Sequence, residues 1–422
     1  MRTSLRKVFR FAMPFLQASL IKQILVGFVL GCLLGLSSPE LAKSAGFLGT
    51  IFVTALKGVA PVLVFVLVTS AIANSSMSTE MHIRPVIALY LASTFGAAMA
   101  SVAVSFMFPT TITLTGAAQS SAAPGEISQV LTQLLLNVVD NPVRAIANAN
   151  YIGILAWAVA VGMILRKSRE ETRIVLGDAS SAVSSIVQIV IRFAPIGIFG
   201  LVSHTLATEG FQVMLEYAQL LLVLLGAMAF VALVLNPFIV WVATHDNPYP
   251  LTFMVLRESG VSAFFTRSSA ANIPVNMDIC RRLKLPESTY AISIPVGSTI
   301  NMAGAAVTIT VITLSAAHSL GIQVDMFSAI FLSVIASVCA AGTSGVPGGS
   351  LMLIPLAGGL FGIDQDTAMQ VVAVGFIISV LQDSTETGLN SSSDVLFTIA
   401  ACYRADRIRA EQEAAKNNCG NN

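Results

Sequence analysis

A stripe of acidic and polar residues lies in the middle of the last apolar segment, which runs from about Ala368 to Cys402. Its members are Asp383, Glu386, Thr387, Asn390 and Asp394. At about 100° of rotation per helical residue, four of them fall within about 60° of one another, and Glu386 lies at the edge of the same face. An Asp at the centre of a membrane helix costs about 2.5–3.5 kcal/mol. The stripe must therefore face protein or a water-filled cavity, where ionisable groups mark paths for ions or substrates.

The composition indicates a membrane protein. The chain has 422 residues, of which 55% are hydrophobic and 11% charged, with a net charge of +1. This balance lies far outside the soluble range and gives no basic surface for nucleic acid. The five cysteines and four histidines are scattered without the spacing of a metal site or a disulfide framework. We therefore expect no nucleic-acid partner and no structural metal.

Apolar runs long enough to cross about 30 Å of hydrocarbon define the predicted fold. They lie near residues 18–37, 47–73, 85–108, 127–165 (interrupted), 180–206, 214–243, 289–317 and 367–402. Two further stretches, 250–280 and 325–360, contain too many Gly, Ser and Pro residues for simple helices. The sequence predicts an all-α membrane protein with about eight transmembrane helices and two re-entrant hairpins. We expect the apolar run after the basic N-terminus to be a first membrane helix and not a cleaved signal peptide, because no cleavage site leads into a soluble domain.

The positions of the basic residues predict the orientation of the chain. Lys and Arg cluster at the N-terminus and near residues 166–173, 281–284 and 404–416, whereas the loops 109–126, 207–213, 318–325 and 361–367 carry none. Placing both termini in the cytoplasm satisfies every cluster. The two irregular stretches then enter and leave the membrane on the same side, the first from the cytoplasm and the second from outside. Non-helical backbone at this depth is tolerated only where it lines a cavity.

The second half of the chain contains a weak internal repeat. A hairpin that contains Thr266 to Ser269 and Pro274 precedes a span interrupted by Asn301, and a hairpin that contains Gly342 to Gly349 precedes the acidic stripe. Matching interruptions in two halves of a transporter point to an inverted repeat with a site at the membrane midplane. Helix ends at such hairpin tips offer free N–H groups and carbonyls to ligands. The alternative is that these Gly, Ser and Pro residues only punctuate loops.

These motifs resemble the dicarboxylate/amino acid:cation symporter family, which has the glutamate-transporter fold. The resemblance covers nearly the whole chain and is most specific from about Phe264 to Ala400. The motifs that carry it are the hairpin run Arg267-Ser268-Ser269-Ala270, the helix break Asn301-Met302-Ala303-Gly304-Ala305, the hairpin tip Gly345 to Gly348 and the acidic stripe. Within the family, the chain is most similar to the bacterial sodium-coupled serine/threonine symporters. The resemblance implies transport and not catalysis.

Three departures from the family pattern change the expected substrate and ions. Glu386 occupies the position at which acidic members hold an arginine for the substrate's side-chain carboxylate, and Ala305 replaces a family Thr. A carboxylate at this position repels aspartate and glutamate but accepts a hydrogen bond from a small hydroxyl. Ala303 replaces an Asp that one family sodium site needs, although Ser93 and Thr94 match the rest of that site. Fewer coupled sodium ions are therefore expected than in the glutamate relatives.

The resemblance assigns a set of substrate-binding residues. They are Arg267, Ser268, Ser269, Gly345, Val346, Asp383, Glu386, Thr387 and Asn390. We expect Asp383 to bind the substrate ammonium and Asn390 its carboxylate, with Glu386 and Thr387 at its side chain. The alternatives are an ion pair between Asp383 and Arg267, an interhelical hydrogen bond for Asn390, and a Glu386 that is protonated or paired away from the ligand.

The resemblance also assigns two sodium sites, sodium being the co-transported ion and no organic cofactor being expected. The first has the Asp394 carboxylate with carbonyls of Gly297, Asn301 and Asn390, and the alternative for Asp394 is a purely structural buried carboxylate. The second, by resemblance, has Thr299 with carbonyls of Ala340, Ala341 and Thr343. We expect the Ser268, Ser269 and Thr343–Gly348 turns to close over the substrate.

The resemblance further implies a domain division and an assembly. Residues 1–245 are expected to form mainly scaffold and trimerisation helices, with the third span contributing to the transport core, residues 246–403 to form that core, and residues 404–422 a cytoplasmic tail. The expected setting is the lipid bilayer of the cell inner membrane, and the expected assembly is a homotrimer.

Three other functions compete with sodium symport. The run Gly342-Thr343-Ser344-Gly345 fits the nucleophile motif of intramembrane serine proteases, but the last histidine, His318, lies upstream, so the later base that this mechanism needs is missing. A carboxylate stripe also suits a cation channel, although two hairpins entering from opposite faces suit alternating gates better. The third competitor is a proton-coupled or sodium-independent carrier of neutral amino acids, in which Glu386 or Asp383 would take the proton.

Overall fold

The computed structural model describes residues 20–74, 83–114, 136, 138–148, 150–341 and 348–419. Of these residues, 85% are helical and none lies in a strand. The helices are α1 Leu20–Ser37, α2 Pro39–Ala73, α3 Ile83–Met107, α4 Pro142–Ala147, α5 Tyr151–Leu165, α6 Glu170–Arg192, α7 Ala194–Glu209, α8 Gln212–Phe230, α9 Asn236–Thr244, α10 Tyr249–Val255, α11 Val261–Thr266, α12 Ile273–Arg282, α13 Glu287–Ile300, α14 Ala303–Ser319, α15 Met326–Ala340, α16 Ile354–Gly359 and α17 Gln365–Cys419. The prediction of an all-α membrane protein is confirmed.

Among the described residues, six helical segments are long and apolar enough to cross a membrane. They are Pro39–Ser70, Ile83–Met107, Glu170–Arg192, Gln212–Thr244, Glu287–Ser319 and Gln365–Ala405. Shorter apolar helices lie at Lys22–Ser37, Ala156–Leu165 and Met326–Ala340. These segments overlap the predicted spans and the start of the second predicted hairpin. The predicted 180–206 span is wrong as a single helix, since α6 ends at Arg192 and α7 begins at Ala194. Its start is also ten residues late, because the first turns of α6 carry the charged residues Glu170, Glu171 and Arg173, which an apolar run does not include.

Helices α1, α2, α5, α6 and α7 pack together into a unit that we call the outer bundle. Glycines let α1 and α2 approach α7 closely. A Cβ atom on Gly31 would lie 2.9 Å from the carbonyl oxygen of Phe199, and one on Gly200 would lie 2.6 Å from that of Ala45. Small residues at helix contacts are the usual way in which membrane helices bring their backbones together.

Helices α3, α8, α9 and α10 to α17 form a second unit, the core bundle, in which α17 packs against α3, α8, α9, α11, α13 and α14. Burial is greatest in two spans of the core bundle, Glu287–Ser319 and Gln365–Ala405, whereas Gln212–Thr244 of the same bundle (28% buried) is less buried than Pro39–Ser70 of the outer bundle (41%). In the most apolar stretch of Glu287–Ser319, 94% of the residues are buried, against 11% in Glu170–Arg192. The core bundle therefore surrounds the acidic stripe with protein.

Interrupted helices occur at the predicted places in the core bundle. Helix α13 ends at Ile300 and α14 begins at Ala303, so that Asn301 and Met302 lie in an unwound turn. Between residues 249 and 282 the chain forms a helical hairpin whose first arm contains a π-helical turn, Leu256–Gly260, and ends at Arg267 in the left-handed region (φ 52°). In the second hairpin, α15 is followed, after residues 342–347, by a 3₁₀ turn and α16. Helix α17, in contrast, is continuous.

Candidate functional site

The acidic stripe of α17 is buried and contacts both hairpins and the break between α13 and α14. Asp383, Glu386, Thr387, Asn390 and Asp394 are each 7% exposed or less. Each of the five side chains makes at least one hydrogen bond within the core bundle. The stripe therefore faces protein, as its cost in lipid requires.

Asp394 and Asn301 form a buried pair with unused oxygen atoms. The Asn301 side-chain amide donates to Asp394 Oδ1 at 2.8 Å, and both residues are fully buried. Asp394 Oδ2 and Asn301 Oδ1 have no hydrogen-bond partner among the described residues. A buried oxygen without a partner costs about 1–3 kcal/mol and needs an explanation. A cation that binds oxygen ligands would explain both unused oxygen atoms, because it would coordinate them. Unwound helix turns are the places where transporters coordinate sodium.

Gly297 leaves room beside this pair. A Cβ atom at this position would lie 2.7 Å from Asp394 Oδ1 and 2.8 Å from Tyr90 Oη, so any larger residue displaces one of them. The Tyr90 hydroxyl lies 3.1 Å from the Asp394 carbonyl oxygen and 3.1 Å from Thr398 Oγ1. Gly297, Asn301 and Asp394 are therefore brought together as the sequence predicts, with Tyr90 as an additional neighbour.

Asn390 joins α17 to the start of α14. Its Oδ1 accepts the backbone N–H of Gly304 at 2.7 Å, and its Nδ2 lies 3.3 Å from Met302 Sδ. Its backbone carbonyl lies 3.4 Å from the Asn301 amide nitrogen, and the carbonyl also accepts the Ser393 hydroxyl at 2.8 Å. The backbone and the side chain of Asn390 thus both contact the unwound turn between α13 and α14. This is the interhelical hydrogen bond that was considered from the sequence as the alternative role of Asn390.

Asp383 connects the two hairpins. Its Oδ2 accepts hydrogen bonds from Arg267 Nε at 2.6 Å and lies 2.6 Å from Arg267 Nη2, and its Oδ1 accepts the backbone N–H of Gly348 at 3.2 Å. Both side chains of the ion pair are less than a tenth exposed. The Thr387 hydroxyl donates to the Asp383 carbonyl one turn earlier. The Asp383–Arg267 ion pair, the alternative considered from sequence, is present in this structure.

Glu386 accepts three hydrogen bonds at one oxygen. Its Oε2 accepts from Thr308 Oγ1 at 2.8 Å, Ser350 Oγ at 2.8 Å and Gln382 Nε2 at 2.6 Å. These donors come from α14, the return arm of the second hairpin and the preceding turn of α17. Among the described residues, no Lys or Arg forms an ion pair with Glu386. Sequence inspection missed all three donors, because isolated Thr, Ser and Gln residues give no signal in a single sequence.

The remaining predicted site residues have different surroundings. The Ser268 hydroxyl accepts the N–H of Ala271 at 3.2 Å, and Ser268 and Ser269 are partly exposed at the tip of the first hairpin. Thr299 is exposed and donates to the Val296 carbonyl on its own helix. Ala340 is buried at the end of α15, and Ala341 follows it. Thr343, Gly345 and Val346 lie outside the described residues.

A second buried polar cluster, which sequence inspection also missed, holds the first hairpin against α17. The Asn272 amide donates to Ser391 Oγ at 2.9 Å, the Asn276 amide donates to Ser391 Oγ at 3.0 Å, and Ser259 Oγ donates to Asn276 Oδ1 at 2.6 Å. All four residues are fully buried. Since Ser259 lies in the π-helical turn, this turn directs its hydroxyl into the cluster. The hydrogen bonds fix the arms of the hairpin beside the acidic stripe.

Comparison with known protein families gives one match that covers most of the chain. The family model described as the sodium:dicarboxylate symporter family matches residues 20–402. The match includes both hairpins, the unwound turn at Asn301 and the acidic stripe. Members of this family are transporters and not enzymes, which confirms the two predictions made from the motifs. The chain is therefore a multi-pass membrane protein that belongs to the sodium:dicarboxylate symporter family of sodium-coupled transporters.

Proposed function

We propose that this symporter imports serine and threonine together with sodium ions. The observation that carries the proposal is Glu386, which is buried beside the start of α14 and has no cationic partner among the described residues. It occupies the position at which acidic members of the family hold an arginine. Glu386 therefore repels a substrate whose side chain carries a carboxylate, since like charges across a binding interface cost several kcal/mol. A side-chain hydroxyl, in contrast, gains a charge-assisted hydrogen bond.

The groups common to all amino acids have their own partners in this proposal. Asp383 binds the substrate ammonium, and Asn390 binds the substrate carboxylate through its amide. An ionised carboxylate has about four lone-pair sites, and the hydrogen bonds from Arg267 and Gly348 leave room for a further donor at Asp383. Arg267, Ser268, Ser269, Gly345 and Val346 close over the bound molecule, and Thr387 contacts its side chain. The ammonium therefore joins a preformed ion pair.

Sodium binds at two sites in the proposal. Asp394 Oδ2, which has no hydrogen-bond partner in the part of the chain that the structure describes, supports the first site, with carbonyls of Gly297, Asn301 and Asn390 as the other ligands. The second uses Thr299 with carbonyls of Ala340, Ala341 and Thr343. Ala303 provides no anionic ligand beside Ser93 and Thr94, whose hydroxyls hydrogen-bond to Asn236 Oδ1 and the Tyr90 carbonyl. Fewer sodium ions than in glutamate-transporting relatives therefore accompany each amino acid.

Coupling follows from a reciprocal effect of the two ligands. If sodium favours the cavity shape that binds the amino acid, the amino acid strengthens sodium binding by the same factor. Residues 246–403, with the third span, move as the transport core against the scaffold helices of residues 1–245, while residues 404–422 form a cytoplasmic tail. The assembly is a homotrimer in the cell inner membrane, with both termini in the cytoplasm.

Uptake of radiolabelled serine into proteoliposomes tests the proposal. An inward sodium gradient should drive concentrative uptake, and unlabelled serine and threonine should compete better than aspartate or glutamate. Saturable serine uptake that ignores sodium would overturn the choice of ion. Three sodium ions per amino acid, measured by parallel sodium and serine fluxes, would contradict the reduced stoichiometry.

The second candidate function is proton-coupled or sodium-independent transport of neutral amino acids. It is favoured by the absence of an Arg or Lys ion pair to Glu386 among the described residues, since a buried carboxylate without a cation is a suitable proton carrier. An inward proton gradient without sodium separates the two candidates. Serine accumulation under this condition supports the second candidate, and its absence supports sodium coupling.

A further inference from the structure

The two carboxylate oxygens of Glu386 differ in their hydrogen bonds. Thr308, Ser350 and Gln382 all donate to Oε2, and among the described residues no hydrogen bond reaches Oε1. Glu386 is still 6% exposed, whereas the three donors are fully buried. An ionised carboxylate accepts hydrogen bonds at both oxygens. Among the described residues, one oxygen of Glu386 is thus held by three donors, while the other has no hydrogen bond and can accept one from a ligand.

The donors come from parts of the chain that are separate in sequence. Thr308 is on α14, Gln382 is one turn before Glu386 on α17, and Ser350 follows Gly348 in the second hairpin. Gln382 Nε2 also donates to Thr308 Oγ1 at 2.8 Å, so the donors constrain one another. Held from three directions, the carboxylate cannot rotate about its last side-chain bond without losing hydrogen bonds to a charged group, which are stronger than those between neutral groups.

We propose that Thr308, Ser350 and Gln382 are positioning residues that hold Glu386 so that its Oε1 accepts the hydroxyl of the substrate side chain. The three residues do not touch the substrate in this assignment and act through Glu386. The inference rests on the proposed function for the identity of the substrate, but the arrangement of the donors is independent of it. Selectivity for a hydroxylated substrate over its hydroxyl-free analogue then depends on side chains beyond the binding pocket.

Uptake kinetics test the role in selectivity. Serine is compared with alanine, which lacks only the hydroxyl group, in wild type and in Thr308→Val, Ser350→Ala and Thr308→Ser. Thr308→Val and Ser350→Ala should lower the serine-to-alanine ratio of kcat/KM by roughly threefold to tenfold, mainly by raising KM for serine. Thr308→Ser, which keeps the hydroxyl, should preserve the ratio. A ratio that stays at the wild-type value in both hydroxyl-deleting variants overturns the proposal.

Thr310 provides a matched control on the same helix. It is fully buried like Thr308, but its hydroxyl has no hydrogen-bond partner among the described residues. Thr310→Val therefore makes the same chemical change without removing a donor from Glu386, and it should leave the serine-to-alanine ratio unchanged. A fall in the ratio equal to that of Thr308→Val would show a general packing effect and would overturn the positioning role.

Infrared difference spectroscopy separates this inference from the proposed function, because it needs no transport. The difference between wild type and Glu386→Gln isolates the carboxyl bands of Glu386. These bands should shift in Thr308→Val, Ser350→Ala and Gln382→Leu and stay in place in Thr310→Val. Unshifted bands in all three variants overturn the positioning role. Shifted bands in a protein that takes up no serine leave the positioning role standing and reject the proposed substrate.

Discussion

The outer bundle and the core bundle contain similarly apolar helices but are held together by different interactions. In the outer bundle, α1 and α2 meet α7 through glycines, and many large side chains, such as Leu33 and Ile174, are exposed. In the core bundle, α14 is almost entirely buried and the contacts to α17 include hydrogen bonds to carboxylates. Close packing needs only small residues, whereas a buried carboxylate needs partners placed in three dimensions. Average hydropathy therefore does not distinguish the helices that hold buried carboxylates from those that only pack together.

Glu386→Arg should give the largest change, because it reverses a charge inside the core bundle. Replacing the like charge by an opposite one removes a repulsion of several kcal/mol for acidic substrates. The preference for aspartate relative to serine, measured by competition in proteoliposomes, should rise about a hundredfold. Unchanged serine selectivity would show that Glu386 lies outside the side-chain pocket.

Asp394→Asn should weaken the sodium response more than it weakens folding. The change removes the anionic ligand of the proposed sodium site but keeps the size of the side chain, so the sodium concentration for half-maximal uptake should rise roughly tenfold to a hundredfold. Sodium-dependent thermal stabilisation in detergent should fall in parallel. Asp178→Asn, on an exposed position of the outer bundle, serves as the control and should change neither quantity.

Two glycine substitutions test the comparison directly. Gly31→Ala brings a Cβ atom within 2.9 Å of the Phe199 carbonyl and should destabilise the protein by about 1–3 kcal/mol without changing its sodium response. Gly297→Ala intrudes on Asp394 and Tyr90 and should abolish sodium-dependent stabilisation. Melting curves with and without sodium measure both effects.

Gly177→Ala is the control for these substitutions, because, apart from the adjoining backbone of its own helix, no described atom lies within 4 Å of the added methyl group. It should leave stability unchanged or raise it by up to about 1 kcal/mol. If Gly31→Ala also abolished the sodium response, this would contradict the view that helix packing in the outer bundle is independent of ion binding in the core bundle.

Asp325→Ala should have the smallest effect, since it acts at a helix end outside the spans. Asp325 caps α15 by accepting the N–H groups of Phe327 and Ser328, and the Ser328 hydroxyl bond holds the pKa of this carboxyl below its usual range. A pKa that is lowered on folding adds stability that is present near neutral pH and is lost as the pH falls through the folded-state pKa. Loss of the cap should cost about 1 kcal/mol at neutral pH.

Melting temperatures from pH 7 to pH 3 check this prediction. The difference between wild type and Asp325→Ala should shrink as the pH falls below about 4, where the unfolded-state carboxyl takes up its proton before the folded-state carboxyl does. A difference that stayed constant over this range would show that the cap does not depend on the charge of Asp325.

The fold and part of the site were predictable from the sequence, and the reasons are physical. The apolar runs predicted the spans because each must cross the same thickness of hydrocarbon, and the Asn301 break was visible as a polar interruption. Asn301 and Asp394 could be assigned to one site from the sequence, because Asn301 belongs to the helix-break motif and Asp394 to the acidic stripe. Thr308 and Ser350 could not be linked to Glu386, since these hydrogen bonds join residues 78 and 36 positions apart. The choice between a free Asp383 and its ion pair with Arg267 likewise needed coordinates.

Because α17 is continuous, it links its two buried aspartates rigidly. Asp383 and Asp394 are eleven residues apart on this helix, which corresponds to about 16 Å along its axis at 1.5 Å per residue. With no break between them, any translation of one carboxylate along the membrane normal carries the other by the same distance. In the proposed cycle, the amino acid and the sodium ion bound at these two carboxylates therefore cross the membrane in a single movement of the transport core.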